Sequence, residues 1–222
     1  MNAKPLDAIK ILTRSEIAAV IADLKRKRRS VNTRQNLALF RLATCCGLRV
    51  SEIVGLNLSN VKVRSGRPHI EIPARIAKRK KPRRVPLWWD AGTLADLQSW
   101  TNERASQGAG PNDPFVCSQA KGTRGKHLSV RNAQARYKKC LKLLGPERVA
   151  MLSIHCGRHS FCSHAMAGGR TLAEVRDAAG HANISTTSIY LHVVHDDGEQ
   201  VGSLFDFQGF SRPKPASASH QV

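Results

Sequence analysis

Three short segments near the middle of the chain alternate apolar and polar residues with a period of two. They are Val61 to Val63, His69 to Ile72 and Arg83 to Leu87. This alternation is typical of strands with one buried face, and Ser65-Gly66 supplies a turn signal between the first two. The sequence therefore predicts one small antiparallel sheet whose last loop is basic.

Helical spacing of apolar residues dominates on both sides of this sheet. Before the sheet, Thr13 and Glu16 form a capping box that opens a helix, a second helix follows Thr33, and a short one spans Ile53 to Leu58. After it, helices are predicted over residues 90–106, 129–144, 155–168, 171–179 and 185–194. A Gly- and Pro-rich loop is expected at 108–126. The fold class is therefore α+β, mainly helical, with a small antiparallel β-sheet.

Charge is the strongest compositional signal. The 222 residues carry a formal charge of +20, which indicates a polyanionic partner, nucleic acid first and an acidic membrane surface second. The six cysteines have no spacing of a disulfide framework or zinc finger, which favours a reducing, intracellular compartment. No stretch is long and apolar enough for a membrane span or a secretory signal. We expect a cytoplasmic protein, associated with the nucleoid.

The basic residues are concentrated in two runs. The first is Lys25, Arg26, Lys27, Arg28 and Arg29, and the second is Lys78, Arg79, Lys80, Lys81, Arg83 and Arg84. A solvated face or a targeting tract accounts for such runs as readily as DNA binding does, so composition alone does not decide between them.

Polar residues that could take part in a chemical reaction lie where the predicted helices begin or turn. They are Arg49, Lys78, His155, Arg158, His181 and Tyr190. His155 and Arg158 are three residues apart, so both point to the same side of one helical turn. Each residue taken singly has a structural explanation, such as helix capping or core packing. The set, in this order, is what calls for a functional explanation.

The ordered set resembles the catalytic domain of the tyrosine recombinase (phage integrase) family, including its Xer-type members. The resemblance extends over about residues 10–195. The matching strings are Thr44 to Glu52, Lys78 ahead of Arg84 to Leu87, His155 to Phe161, and Ala179 to Tyr190. Each string alone is a weak signal, but four in the right order form a strong one.

The resemblance implies a site-specific recombinase or integrase that cleaves and rejoins double-stranded DNA through a 3′-phosphotyrosyl intermediate. Tyr190 is then the nucleophile, and Arg49 and Arg158 clamp the phosphate. His155 is the candidate base, His181 donates a hydrogen bond, and Lys78 protonates the leaving 5′-oxygen. Such chemistry needs no ATP and no metal, so no cofactor is expected. The resemblance also implies a homo-oligomer, a tetramer on two DNA sites.

Three departures from the family pattern stand out. The hairpin lysine of the family usually lies between glycines, whereas Ala77 to Lys81 contains none, so Lys80 or Lys81 is an alternative to Lys78. Gly157 replaces a leucine, which we expect to loosen the packing beneath Arg158. The N-terminal DNA-clasping domain of the family is expected to be absent, with the basic run at 25–29 partly offsetting its loss.

Two other functions deserve weight. His155 and His159 have the spacing of a zinc-binding helix, but no glutamate lies between them, and Arg158 would repel a cation. A catalytically silent or accessory DNA-binding protein with the same fold is the stronger alternative.

The domain prediction divides the chain after residue 198. Residues 1–198 are expected to form the catalytic domain, and residues 199–222 a C-terminal segment that docks on a neighbouring subunit and ends in disorder. Packing of this segment on its own subunit is an equal alternative. Either arrangement would bury the apolar residues near Leu204 and Phe210.

Overall fold

Helices surround one small sheet in residues 8–183 and 185–190, which are the residues that the computed structural model describes. The helices are α1 (Arg14–Arg26), α2 (Val31–Thr44), α3 (Val50–Gly55), α4 (Ala91–Ser106), α5 (Val130–Cys140), α6 (Pro146–Met151), α7 (Ile154–Ala167), α8 (Leu172–Ala179) and α9 (Ser185–Ser188). The strands β1 (Val61–Lys62), β2 (His69–Ile72) and β3 (Arg83–Pro86) pair antiparallel in that order. The predicted mainly helical α+β fold is confirmed.

Helix α2 is the centre of the molecule. Every residue from Gln35 to Thr44 is buried, and α1, α4, α5 and α7 all pack against it. A helix that is enclosed on all sides must pair its polar groups internally. Arg41 does so through Asp96 at 2.7 Å and Asp90 at 3.2 Å, and Gln35 donates to the carbonyl of Cys117 at 2.9 Å.

A second, smaller apolar cluster joins α7, α8 and the segment before α4. The indole of Trp89 stacks on Phe161 of α7 with ring centroids 6.0 Å apart. Val175 of α8 and the ring of Tyr190 complete the cluster. This packing fixes the last described residue against α7, and thereby positions the tyrosine that the sequence singles out.

Element boundaries differ from the prediction where the capping signals are weak. Helix α3 begins at Val50, three residues earlier than predicted, because the Glu52 carboxylate accepts the backbone N–H of Arg49 at 2.8 Å and so caps the helix without a Ser, Thr, Asn or Asp. Helix α6 was not predicted. None of its residues is buried, so it has no apolar periodicity to reveal it.

Gly157 tightens the packing beneath Arg158, so the expectation that it loosens this packing is wrong. A Cβ at Gly157 would lie 2.7 Å from the Tyr137 hydroxyl and 2.8 Å from Thr44 Oγ1. These two hydroxyls hydrogen-bond to each other at 2.9 Å in the space that a larger side chain would need. The absence of a side chain at 157 therefore lets α7 lie directly on α2 and α5.

The C-terminal predictions lie outside the described residues. This applies to the predicted end of the last helix, at 191–194, and to the segment 199–222. Within the described residues, none of the helices combines the length and apolar character that crossing a membrane requires.

Candidate active site

A buried carboxylate, Glu52 of α3, organises one wall of the site. It is fully buried and receives two hydrogen bonds of 2.7 Å from the guanidinium of Arg83 on β3. Arg49, which precedes α3, donates from Nη1 at 3.0 Å as well as from its backbone N–H. Burial alone would raise the pKa of Glu52, but the hydrogen bonds and charge of Arg83, and then those of Arg49, outweigh it and lower the pKa.

The second arginine, Arg158 of α7, is held by backbone carbonyl groups. It is 5% exposed, and its guanidinium donates to the carbonyl of Gly47 at 2.7 Å and to that of Ala179. Burial is the largest cause that lowers the pKa of Arg158, to about 10, and repulsion by Arg49 and Arg83 adds to it. The group is nevertheless charged at neutral pH.

The end of α8 closes this wall. Gly180 terminates the helix in a left-handed conformation at φ 66°, and a Cβ there would lie 2.8 Å from Arg83 Cδ. The carbonyl of Gly180 accepts from Arg49 Nη2 at 3.0 Å, and that of Ala178 accepts from Arg83 Nε at 2.9 Å. The backbone angle favours a glycine here, and the absence of a side chain leaves room for the close approach of Arg83.

These contacts leave the cluster with a surplus of positive charge. Three guanidiniums, those of Arg49, Arg83 and Arg158, influence one another, and Glu52 is the carboxylate that acts on them. A surplus of charge held by preorganised donors is an arrangement suited to binding an anion such as a phosphate.

His181 and Tyr190 lie next to this cluster. The imidazole of His181 stacks on the Tyr190 ring with centroids 6.2 Å apart and an interplanar angle of 7°, and its Nδ1 lies 2.9 Å from Thr187 Oγ1. Burial first, and then the charges of Arg158, Arg49 and Arg83, lower the pKa of His181 to about 3. The ring is therefore neutral at physiological pH.

The Tyr190 hydroxyl is buried and hydrogen-bonded. Its ring is 2% exposed, and the hydroxyl oxygen lies 2.7 Å from Nδ1 of His159, a residue of α7. Burial, followed by the neighbouring thiol of Cys162, raises the pKa of Tyr190. The surroundings thus favour the protonated phenol.

Lys78 lies at the edge of the site, in the loop between β2 and β3. Together with Arg79 and Lys81 of that loop and with His181 it lines a basic cleft of about 500 Å³. Arg79 and Lys80 adopt left-handed backbone angles, φ 62° and 53°, in the turn where the family pattern has glycine. This turn therefore takes left-handed angles at two residues that are not glycine.

His155 is exposed at the start of α7 and does not share the enclosed position of Arg158. It lines a groove of about 300 Å³ with Gln134 and Lys138 of α5. Partial burial is the largest cause that lowers the pKa of His155, followed by the charges of Arg158, Arg49 and Lys78. Lys78 and both arginines are thus close enough to influence this imidazole.

The basic run at 25–29 lies at the end of α1 and engages acidic neighbours. Lys25 pairs with Asp96 at 3.0 Å, and Arg26 and Lys27 both pair with Asp23 at 2.6 Å. Arg28 and Arg29 are exposed and use their backbone carbonyls to accept from Arg34. In the described part of the chain, no hydrogen bond or ion pair joins this run to the other predicted site residues.

The structure therefore brings Arg49, Arg158, His181 and Tyr190 together and sets His155 and Lys78 at the rim. Sequence reasoning missed Glu52 and Arg83 as site-forming residues, although Glu52 follows Arg49 at capping-box spacing. His159 was considered as a metal ligand alone. The described residues contain no group of three or more His, Cys, Asp or Glu side chains arranged to hold a metal ion.

Comparison with known proteins identifies the family. Residues 10–196 match the model of the phage integrase family. The chain belongs to this family. The family predicted from the sequence is thereby confirmed, including its Xer-type character.

The similar phage integrase family members include recombinases from several bacteria. Tyrosine recombinase XerC of Vibrio vulnificus strain YJ016 is 31% identical over 187 residues, which are 83% of this chain and 53% of that protein. XerC of Stutzerimonas stutzeri is 31% identical over 78% of this chain and 52% of its own length. The chain thus spans about half the length of the curated relatives it matches.

Solved structures of phage integrase family members share the fold. The XerA recombinase superimposes with a TM-score of 0.67 at 20% identity, covering 88% of this chain and 61% of that one. XerH, in a post-cleavage complex with its palindromic difH substrate, gives a TM-score of 0.65 at 24% identity, covering 84% and 50%.

The first prediction concerns the buried carboxylate. Glu52→Ala should lower the free energy of unfolding at neutral pH by about 3–5 kcal/mol, because Arg83 and Arg49 lose the buried charge that pairs with them. The pKa of folded Glu52 lies below its ordinary value of 4.5. The ion pairs therefore stabilise fully above that pH and are lost as the pH falls through the folded pKa.

Urea unfolding at several pH values would measure both effects. Glu52→Gln should show less loss of stability on acidification than the wild type. Glu71→Gln is the matched control, because the partly exposed carboxylate of Glu71 makes long ion pairs, 3.8 Å from Arg84 and 3.9 Å from Lys62. If the free energy of unfolding fell equally on acidification in Glu52→Gln and in the wild type, the ion pairs of Glu52 would not be the cause of the acid sensitivity.

Proposed function

We propose that the chain is the catalytic part of a site-specific DNA recombinase or integrase. It would cleave and rejoin DNA strands through a covalent 3′-phosphotyrosyl bond to Tyr190. The observation that carries this proposal is the position of the Tyr190 phenol, beside a cluster of three guanidiniums. Two of them, those of Arg49 and Arg83, hydrogen-bond to the buried carboxylate of Glu52. The names of the relatives, which are tyrosine recombinases, support the same reaction class.

Charge distribution explains how such a site would work. In the attack on a phosphodiester, negative charge grows on the non-bridging oxygens, and Arg49 and Arg158 would hold these oxygens with charged hydrogen bonds. Their guanidiniums are already fixed by the carbonyls of Gly47, Ala179 and Gly180, so little reorganisation is required. The phosphotyrosyl bond would conserve the energy needed for rejoining, so ATP would not be required. The arginines, the lysine and the histidines would supply the charge stabilisation that a metal ion provides in other phosphoryl-transfer sites.

The three remaining predicted side chains would lie around the bound phosphate. His181 is neutral. If the Thr187 hydroxyl donates a hydrogen bond to its Nδ1, the ring proton lies on Nε2, which would then donate a hydrogen bond to a phosphate oxygen. His155 is exposed at the rim, within the electrostatic reach of Arg158 and Lys78. Lys78 would protonate the leaving 5′-oxygen.

Double-stranded DNA is the proposed partner. The chain carries +20, and the cleft beside His181 is lined by basic residues of the loop between β2 and β3. The similar XerH was solved with its difH substrate. Arg79, Lys80 and Lys81 would contact the DNA backbone near the site, with the run at 25–29 as a second contact.

A covalent trapping experiment tests the reaction. Duplexes of randomised sequence with a 5′-bridging phosphorothiolate release a thiol that rejoins poorly, so a cleaved complex accumulates as a protein–DNA band on a denaturing gel. We expect this band without added metal, its loss in Tyr190→Phe, and a reduction of about 10²–10³-fold in Arg158→Ala.

The chain offers a matched control for the nucleophile. Its only other tyrosine is Tyr137, which is fully buried and bonded to Thr44. Tyr137→Phe should therefore retain the band. Salt-dependent binding of the wild type to these duplexes without any covalent band would favour the alternative, a catalytically silent DNA-binding protein.

A second experiment identifies the general acid among the hairpin lysines. Lys78 directly follows Ala77, which is 9% exposed and anchors the loop, and Lys78 lines the cleft with His181. Lys78→Ala should slow cleavage of an ordinary phosphodiester by about 10²–10⁴-fold and have little effect on a phosphorothiolate, because a thiolate leaves without a proton.

Lys80→Ala and Lys81→Ala serve as matched controls in the same loop. Both should weaken binding to DNA on either substrate, without selective recovery on the phosphorothiolate. If the cleavage rate recovered on the phosphorothiolate in one of these variants and not in Lys78→Ala, that lysine would be the general acid.

Assembly is the last part of the proposal. We propose that the protein acts as a tetramer on two DNA sites, with residues 199–222 docking on a neighbouring subunit. Deletion of these residues should abolish the higher complexes in sedimentation on DNA and leave covalent trapping intact. Unchanged complexes after the deletion would rule out docking by this segment.

A further inference from the structure

His159 is a half-buried polar group that the recombinase mechanism outlined above does not use. It follows Arg158 on α7, and its Nδ1 lies 2.7 Å from the Tyr190 hydroxyl, within the range in which a proton can pass directly. The two rings lie 5.8 Å apart at an angle of 38°. The thiol of Cys162 also hydrogen-bonds to this hydroxyl, whereas His155 makes no hydrogen bond to it among the described residues.

The charge state of the imidazole allows the phenol to donate this hydrogen bond. Burial, and then the charges of His155, Arg158 and Lys10, lower the pKa of His159 to about 4. A neutral ring with its proton on Nε2 presents an unprotonated Nδ1, which accepts the hydrogen bond that the phenol donates. The phenol is protonated, because its own surroundings disfavour the phenolate.

We propose that His159, and not His155, accepts the proton of Tyr190 as the phenol attacks DNA. This inference rests on the proposed function and replaces the assignment of His155 that the sequence suggested. His155 is exposed at the rim, whereas His159 already makes the contact through which the proton must leave.

The step is balanced in atoms and charge. The O–H bond of Tyr190 breaks as its oxygen forms a bond to phosphorus, and the proton passes to Nδ1 of His159. The bond from phosphorus to the 5′-oxygen breaks, and that oxygen takes a proton from Lys78. The resulting imidazolium lies beside the transferred phosphate, whose negative charge stabilises it. Rejoining runs the same transfers in reverse.

Binding of DNA would prepare this step. The charged groups that face His159 are His155 and Arg158 on its own helix and Lys10 from the N-terminal segment, and His181 interacts with it from beyond α8. All are cationic or neutral. A phosphate that enters this set opposes their repulsion and raises the proton affinity of the imidazole.

The test compares three histidine variants on the randomised phosphorothiolate duplexes, where the leaving group needs no acid. His159→Ala should slow the single-turnover formation of the covalent band by about 10²–10⁴-fold with unchanged DNA binding. His155→Ala should slow the formation of the covalent band less than His159→Ala does. His127→Ala is the matched control, because His127 also bonds through Nδ1, at 2.7 Å, but to the carbonyl of Val54 away from Tyr190.

Chemical rescue separates proton transfer from structural support. Added imidazole should restore the rate of His159→Ala by about tenfold or more and should not affect the wild type. His159→Asn keeps a polar acceptor at a similar position but removes the base. This variant should have the melting temperature of the wild type and should still form the covalent band slowly. A rate for folded His159→Asn equal to wild type, or a loss in His159→Ala that imidazole does not relieve, would overturn the proposal.

The controls also distinguish this inference from the proposed function. A covalent band in wild type that Tyr190→Phe removes establishes the nucleophile whatever His159 does. If His155→Ala shows the larger, imidazole-dependent loss, the base is His155 and the recombinase chemistry stands. A faster reaction in His159→Ala would show that the bond restrains Tyr190, which also contradicts proton acceptance.

Discussion

The carboxylate of Glu52 is the interaction on which the site depends. It is fully buried, and through it α3, β3 and the residue before α3 become a single unit. Guanidiniums crowded into a half-buried space repel one another, and without a counter-charge the chain would separate them. One carboxylate can offset part of this repulsion. The remainder is left for a ligand, so the same residue stabilises the fold and preserves the positive charge.

Backbone carbonyls orient the guanidiniums without neutralising them, which a carboxylate cannot do. The carbonyls of Gly47, Ala179 and Gly180 end or follow helices, where they have no partner within the helix. Arginine side chains satisfy these carbonyls and are oriented by them in return. Because dipoles carry no net charge, this support does not neutralise the arginines. Preorganised but uncompensated charge is what stabilisation of a phosphoryl transition state requires.

Sequence patterns predicted those parts of the structure that are determined by residues close together in the sequence. Periodicity gave β2 and most helices, and order along the chain gave Arg49, Arg158, His181 and Tyr190. The exceptions arise either from contacts between distant segments or from elements without a recognisable sequence pattern. Gly157 tightens rather than loosens the packing because Tyr137 and Thr44 fill the space above it. Helix α6 has no buried face, and the turn at Arg79 and Lys80 takes left-handed angles without glycine, so neither carries a local signal.

The difference between His155 and His159 shows why spacing cannot assign a proton acceptor. Both residues lie on one turn of α7, and sequence spacing places either of them near Arg158. Exposure separates them, because His155 faces a groove and His159 faces the cluster that holds Tyr190. Burial first, and then the charge of Arg158, keeps the imidazoles of His159 and His181 neutral. In the proposed reaction, an arginine that would hold the phosphate therefore also leaves a nitrogen of His159 free to accept a proton. A phosphate held by the same arginines would then oppose this repulsion and raise the proton affinity of His159.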